Sequence, residues 1–182
     1  MPTSIEEGKD WLTAFFMAKQ PWTVCDVGPG EGTYAKRWRP LHKGLWWTGI
    51  EVWKPYIAKY KLKSTKTRVA YDEIHNINAL DAPLHLFHRD LVILGDVLEH
   101  MSKEDAVRLL NRVHEGGAWN IAVSVPIIHA PQGAVEGNPH EEHVHHYTVE
   151  EMTEMLLDCL PGGTLHKEPQ TTVGVWWWTR WH

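Results

Sequence analysis

The chain has 182 residues, a length that suits one domain with a proper core. Its 43% hydrophobic and 23% charged residues are the composition of a folded soluble protein, and no apolar run approaches the roughly 20 residues of a membrane span. A net charge of −5 without a long basic block argues against a sequence-independent nucleic-acid binder.

The opening "MPTSIEEGKDW" lacks the basic start and apolar stretch of a signal peptide. Ser4 and Glu7 fit a capping box. Ile5, Trp11, Leu12, Phe15 and Phe16 follow at helical spacing until Gln20-Pro21 stops the helix. "WTVCDV" reads as a buried strand, and Gly28, Gly30 and Gly32 follow it at every second position. "TYAKRW" is then a short helix ended by Pro40, and "LWWTGIE" a second strand. Pro55 suits the first turn of the next helix, to which Tyr56, Ile57 and Tyr60 give an apolar face. "TRVAYDEI", residues 67–74, is expected as a third strand, while 75–89 carries no clear pattern.

"DLVILGDV" is the clearest strand of the chain. Ser102 with Asp105 caps the helix "KEDAVRLLNRVHE", whose Ala106, Leu109, Leu110 and Val113 lie on one side and which Gly116-Gly117 ends. "AWNIAVSV" is a fifth strand, followed by a polar loop over 126–147. Thr148 and Glu151 cap a last helix carrying Met152, Met155, Leu156 and Cys159. "GGTLHKEP" and "TTVGVWWWTRW" close the chain as a strand pair. The alternation predicts an α/β fold: a doubly wound, mostly parallel sheet of about seven strands with helices on both faces and an antiparallel C-terminal edge. No repeat or linker divides it, so 1–182 is expected as one domain. The eleven tryptophans read first as bulky strand filler and second as a stacking surface. Cys25 and Cys159 give neither a disulfide framework nor a metal spacing, which suits a reducing cytoplasm.

In such sheets a ligand lies at the carboxyl ends of the strands, where "DVGPGEG" sits. Its glycines let the backbone turn sharply and approach a ligand. Glu51 ends the second strand, 19 residues beyond Gly32, and a carboxylate there can accept from two ribose hydroxyls. Dinucleotide sites use G-x-G-x-x-G, but here the spacing is G-x-G-x-G with Asp26 two places before it. An acid there suits a cationic or amine-bearing ligand better than a pyrophosphate.

These motifs, with "GIEVW", "YDEI", "DLVILGDVLEHM" and "NPHEEHVHHYTVEEM", run in one order over residues 22–160. In that order the chain resembles the class I S-adenosylmethionine-dependent methyltransferases. The resemblance implies S-adenosyl-L-methionine as cofactor and S-adenosyl-L-homocysteine as product. Gly28, Pro29, Gly30 and Thr33 would lie along the cofactor's amino acid and ribose. Asp26 would orient its amino group, Glu51 its ribose, and Val52 and Trp53 its adenine. Asp72 or Glu73 would meet the adenine amino group, with the choice open, and Asp96 would stand beside the cofactor at the end of the fourth strand. Glu99, His100 and His143 are candidates for removing a proton from the acceptor, with His145 and His146 behind them. In two branches of the family, an E-x-x-E-H with a later histidine binds a divalent metal. Asp96, Glu99, His100 and His143 occupy matching places, but the first is Asp rather than Glu, and no metal is assigned.

Amino-methylating DNA enzymes carry an Asn-Pro-Pro-Tyr segment after the fourth strand, and this chain has none. Neither cysteine sits where a cytosine C5 nucleophile would. The expected activity is therefore O-methylation of a small-molecule acceptor. A nucleic-acid or protein methyltransferase, a cofactor-binding sensor without turnover and a nicotinamide oxidoreductase stand behind it. No membrane partner is expected, and the oligomeric state is open.

Overall fold

The computed structural model describes residues 6–42, 44–63, 71–169 and 171–181. Seven strands form one sheet: β1 (Thr23–Val27), β2 (Trp46–Ile50), β3 (Glu73–His75), β4 (Leu91–Gly95), β5 (Asn120–Pro126), β6 (Gly163–Pro169) and β7 (Val173–Arg180). Their order across the sheet is β3-β2-β1-β4-β5-β7-β6. The first five strands are parallel, and β7 runs antiparallel to both β5 and β6. Helices α1 (Lys9–Lys19), α2 (Thr33–Trp38), α3 (Lys54–Lys59), α4 (Lys103–Glu115) and α5 (Val149–Cys159) surround it. The expected doubly wound sheet and its antiparallel C-terminal pair are both present.

The period-2 geometry of strands splits each strand between two cores. Cys25, Val27, Val92, Leu94, Ile121 and Val123 turn toward the apolar faces of α4 and α5. Val24, Leu91, Ile93 and Ala122 turn the other way, toward Leu12 and Phe16 of α1 and Tyr34, Ala35 and Trp38 of α2. The three consecutive tryptophans of β7 obey the same rule. Trp176 and Trp178 enter the first core and Trp177 the second. Trp22, Trp46, Trp119 and Trp181 stay exposed at the amino ends of the parallel strands, away from the glycine turn.

The caps of α4 and α5 form as expected. Ser102 accepts from Asp105 N–H and Thr148 from Glu151 N–H, each at 3.1 Å. The capping box at the first helix does not form around Glu7, and Ser4 and Ile5 lie outside the described residues. Helix α1 starts only at Lys9, after Gly8 in a left-handed conformation (φ 77°). Glu7 instead accepts from the Thr171 and Thr172 N–H groups at 3.0 and 2.7 Å and from the Thr172 hydroxyl. The first residues are thus fastened to the β6–β7 turn. Strand β3 is shorter and later than expected, ending at His75; residues 67–70 of that expectation lie outside the described residues.

At the amino end of β1, Asp90 Oδ2 accepts from Trp22 N–H and Thr23 N–H, both at 2.9 Å, and from Thr23 Oγ1 at 3.0 Å. Asp90→Ala leaves three donors without that acceptor. We expect a loss of about 1–3 kcal/mol of unfolding free energy, read by urea denaturation. An unchanged midpoint would show that water replaces the carboxylate at no cost.

Candidate active site

Strand order reverses between β1 and β4, and a cavity of about 580 Å³ opens at their carboxyl ends. The glycine turn forms one wall. Gly28, Gly30 and Gly32 have φ of 62°, 51° and 81°, a region that L side chains rarely adopt. At Gly28 a Cβ would also lie 2.9 Å from Val97 Cγ2.

Glu51 is 3% exposed at the end of β2. Its two oxygens are held apart by backbone donors, Trp53 N–H to Oε1 at 2.8 Å and Gly30 N–H to Oε2 at 3.3 Å. Burial raises its pKa to about 7 against the pull of those two bonds. Asp26, also buried on the cavity wall, accepts from the Tyr71 hydroxyl at 2.6 Å. Burial raises it to about 7, opposed by the Tyr71 bond and reinforced by the charge of Glu51.

A second group of side chains lies across the cavity. After β4, Asp96 takes φ 56°, a strained value for a residue with a side chain, and the 3-10 turn Leu98–His100 follows. Glu99 is 2% exposed, and neither of its carboxylate oxygens has a hydrogen-bond partner among the described residues. Burial, and then the nearby Asp96 charge, holds its pKa well above the usual range. The loop over 126–147 is tied to this turn, because the Glu99 carbonyl accepts from Val144 N–H (2.8 Å) and His145 N–H (3.1 Å). That junction brings the His100 and His143 rings to 4.9 Å between centroids. His100 Nδ1 is 3.1 Å from the Glu142 carbonyl, and His143 Nδ1 is 2.5 Å from that of Ala130. A carbonyl only accepts, so each Nδ1 is the donor, and in the neutral tautomer this leaves the lone pair on Nε2. Burial lowers the His100 pKa to about 4 against the Glu142 bond, so its ring stays neutral.

Of the residues expected at the site, Asp26, Gly28, Pro29, Gly30, Thr33, Glu51, Val52, Asp96, Glu99, His100 and His143 line the cavity. Trp53 does not; its N–H orients Glu51, and its ring meets His140 at 6.3 Å on the rim. Asp72 and Glu73 do not reach the cavity either. Register pairs Glu73 with Thr48, so both acids lie short of the cavity end of β3. Asp72 instead holds the Arg39 fork at 2.9 and 3.1 Å and accepts from Trp47 N–H, and Glu73 pairs with His75. His145 meets Glu151, and His146 packs on His129. Tyr34, Ile77, Asn78 and Leu80 line the cavity although the sequence did not single them out. For Asn78 the available signal was its place just past the end of the third strand.

A family model described as "Methyltransferase domain" matches residues 25–121. The chain belongs to that family. This methyltransferase matches no curated protein sequence, but solved structures share its fold. The methyltransferase domain of bacterial CtHen1-C is 15% identical with a TM-score of 0.73, over 95% of this chain and 96% of that one. Magnesium protoporphyrin IX methyltransferase from Synechocystis, solved with bound S-adenosylmethionine, is 14% identical with a TM-score of 0.67, over 94% and 77%. The small RNA methyltransferase HEN1 gives 14% and 0.75, and there the present methyltransferase spans 26% of the longer chain. At these identities the likeness is one of fold. None of the helices described in this methyltransferase is long and apolar enough to cross a membrane.

Proposed function

We propose that the domain transfers a methyl group from S-adenosylmethionine to the hydroxyl of a small-molecule acceptor. The observation that carries this reading is the pairing of two sites in one cavity. Glu51 offers two oriented oxygens on one side, and Glu99, His100 and His143 gather on the other. Methyltransferases with this fold bind S-adenosylmethionine, as the Synechocystis enzyme does.

Bound S-adenosylmethionine would supply a methyl carbon for in-line attack by the acceptor oxygen, with the carbon–sulfur electron pair leaving on sulfur and the hydroxyl proton released. The protein aligns the two partners and receives that proton. The lone pair of His143 Nε2 suits that role, with the ring fixed by the Ala130 carbonyl. The loop bearing Gln132, Asn138 and His140 completes the cavity and favours a small acceptor that it can enclose.

One observation favours a second reading of the same cluster. One ligand atom each from Glu99, His100 and His143 lies within 4.8 Å of the others, and the buried Glu99 oxygens have no hydrogen-bond partner among the described residues. Mixed carboxylate and imidazole donors fit a divalent cation, which when bound would lower the pKa of an acceptor hydroxyl. Asp96 is not in this set; its Oδ1 accepts from Ser124.

Calorimetric titration tests the cofactor reading. S-adenosylmethionine or its demethylated product should bind with micromolar-range affinity and NAD far more weakly. Glu51→Ala should weaken the cofactor by about 1.5–3 kcal/mol without unfolding the domain. Tighter binding of NAD, or an unchanged dissociation constant in Glu51→Ala, would sink the assignment.

A further inference from the structure

A buried network reaches the cavity behind the groups assigned above. The Tyr34 ring lies over Gly95, where a Cβ would sit 2.1 Å from its Cε2. Only glycine at that place lets the phenol pass and reach β5. There the Tyr34 hydroxyl is 3.0 Å from Ser124 Oγ, and Ser124 Oγ donates to Asp96 Oδ1 at 3.0 Å. Ser124 has one hydroxyl proton and gives it to the carboxylate, so Tyr34 is the donor to Ser124. Asp96 N–H returns to the Ser124 carbonyl at 2.8 Å, which fixes the strained backbone as well.

A buried lysine of another element feels the Asp96 charge. Lys9, in the first turn of α1, is 1% exposed. Burial draws its ammonium below the usual lysine range. The Asp96 charge, and then that of Glu6, opposes this, while Arg37 adds to it. Asp96 therefore receives a hydroxyl relay from α2 and β5, and its charge acts on the buried Lys9 of α1. Strand β1 stands between β2 and β4, so Asp96 lies two strands from Glu51, roughly 10 Å across the sheet. A nucleoside cofactor held at Glu51 would share one cavity with that wall.

We infer that Tyr34, Ser124 and Lys9 are positioning residues that hold Asp96 as a carboxylate at the cavity wall, where it favours the cationic methyl donor over its uncharged-sulfur product. The inference rests on the cofactor reading above. Donor and product differ by one methyl and one positive charge on sulfur. A fixed carboxylate in a poorly solvated wall attracts the first more than the second. Helix α1 then belongs to the working site although Lys9 does not line the cavity.

The test is calorimetry with S-adenosylmethionine and S-adenosylhomocysteine on wild type, Tyr34→Phe, Lys9→Met, Asp96→Asn and the Tyr34→Phe/Asp96→Asn double variant. Tyr34→Phe keeps the ring over Gly95 and removes only the hydroxyl. Tyr34→Phe and Lys9→Met should each move the donor-to-product affinity ratio toward product by about threefold to tenfold. Asp96→Asn should move it at least as far, and Tyr34→Phe should add nothing in that background. A ratio unchanged in both single variants, or additive effects in the double variant, overturns the network. Melting curves identify a variant that fails to fold, and the other single variant then carries the test. Amide exchange at Asp96 is read without ligand and should quicken about tenfold in Tyr34→Phe. Wild type that binds neither ligand overturns the cofactor reading instead; the exchange rate still decides the network, and an unchanged rate overturns it.

Discussion

His143→Ala should lower turnover on the true acceptor by roughly 10²–10⁴ if its Nε2 takes the proton. Cofactor affinity should barely change, because the imidazole lies with Glu99 and His100 across the cavity from Glu51. A chelator separates the two readings of the cluster. A cation held by Glu99, His100 and His143 would be stripped, with activity lost and then regained on adding Mg or Mn. A lone base is indifferent to chelation. Full activity in His143→Ala would defeat both versions and leave alignment alone as the source of catalysis.

The free protein should be more stable in mild acid than above neutrality, the reverse of ordinary carboxylate behaviour. Asp26 and Glu51 are raised from 3.8 and 4.5 to about 7 in the fold, with burial as the main cause. Between their unfolded and folded values the native state holds more protons than the unfolded one. Stability therefore falls as pH rises through that window, most steeply near the folded values of about 7, and the loss is complete about one pH unit above them. His100, lowered to about 4 by burial, acts in the opposite sense below its unfolded value of 6.5. Asp26 and Glu51 against His100 leave a net fall on the order of 2–3 kcal/mol between about pH 5.5 and 7.5, and Glu99, also raised by burial, acts in the same direction as the two carboxyls. Urea unfolding at those two conditions checks it, and equal or reversed midpoints would refute it. Ribose hydroxyls donating to Glu51 would stabilise its charged form, so bound cofactor should flatten the profile.

Where local chemistry and tertiary position agree, the sequence was readable. β4 is a continuous apolar run, and β5 is one apart from Asn120 and Ser124, because both faces of a central strand are buried, and such runs announce themselves. Ser102 and Thr148 mark helix starts because a cap is a contact within one turn of the chain. The glycine turn and Glu51 were legible for the same reason: each follows directly from the strand before it. Position across the sheet was not legible. The offset of β3 against β2 decides whether Asp72 reaches the cavity or Arg39, and that register depends on packing between distant segments. Glu7 has the spacing of a capping residue, yet its partners are Thr171 and Thr172 at the far end of the chain. Periodicity cannot see such a partner. The same holds for Tyr34, which reads as helix filler until its hydroxyl is found beside Ser124.

The place of β7 between β5 and β6 has a consequence for how the domain assembles. β6 precedes β7 in the chain but hydrogen-bonds within the sheet only to it, so β6 cannot join until its successor has docked on β5. Helix α1 packs on β7 as well, and Glu7 grips the turn that leads into it. The earliest helix described thus waits for the latest strand. During synthesis the first four strands can pair while the second core stays open on the side where Trp177 and Val175 belong. Closure requires hydrogen bonds of the longest sequence separation among the described residues, which are the slow kind. A nascent chain halted before Val173 would expose the apolar face that β7 covers, and that intermediate is the one a chaperone would be needed to shield.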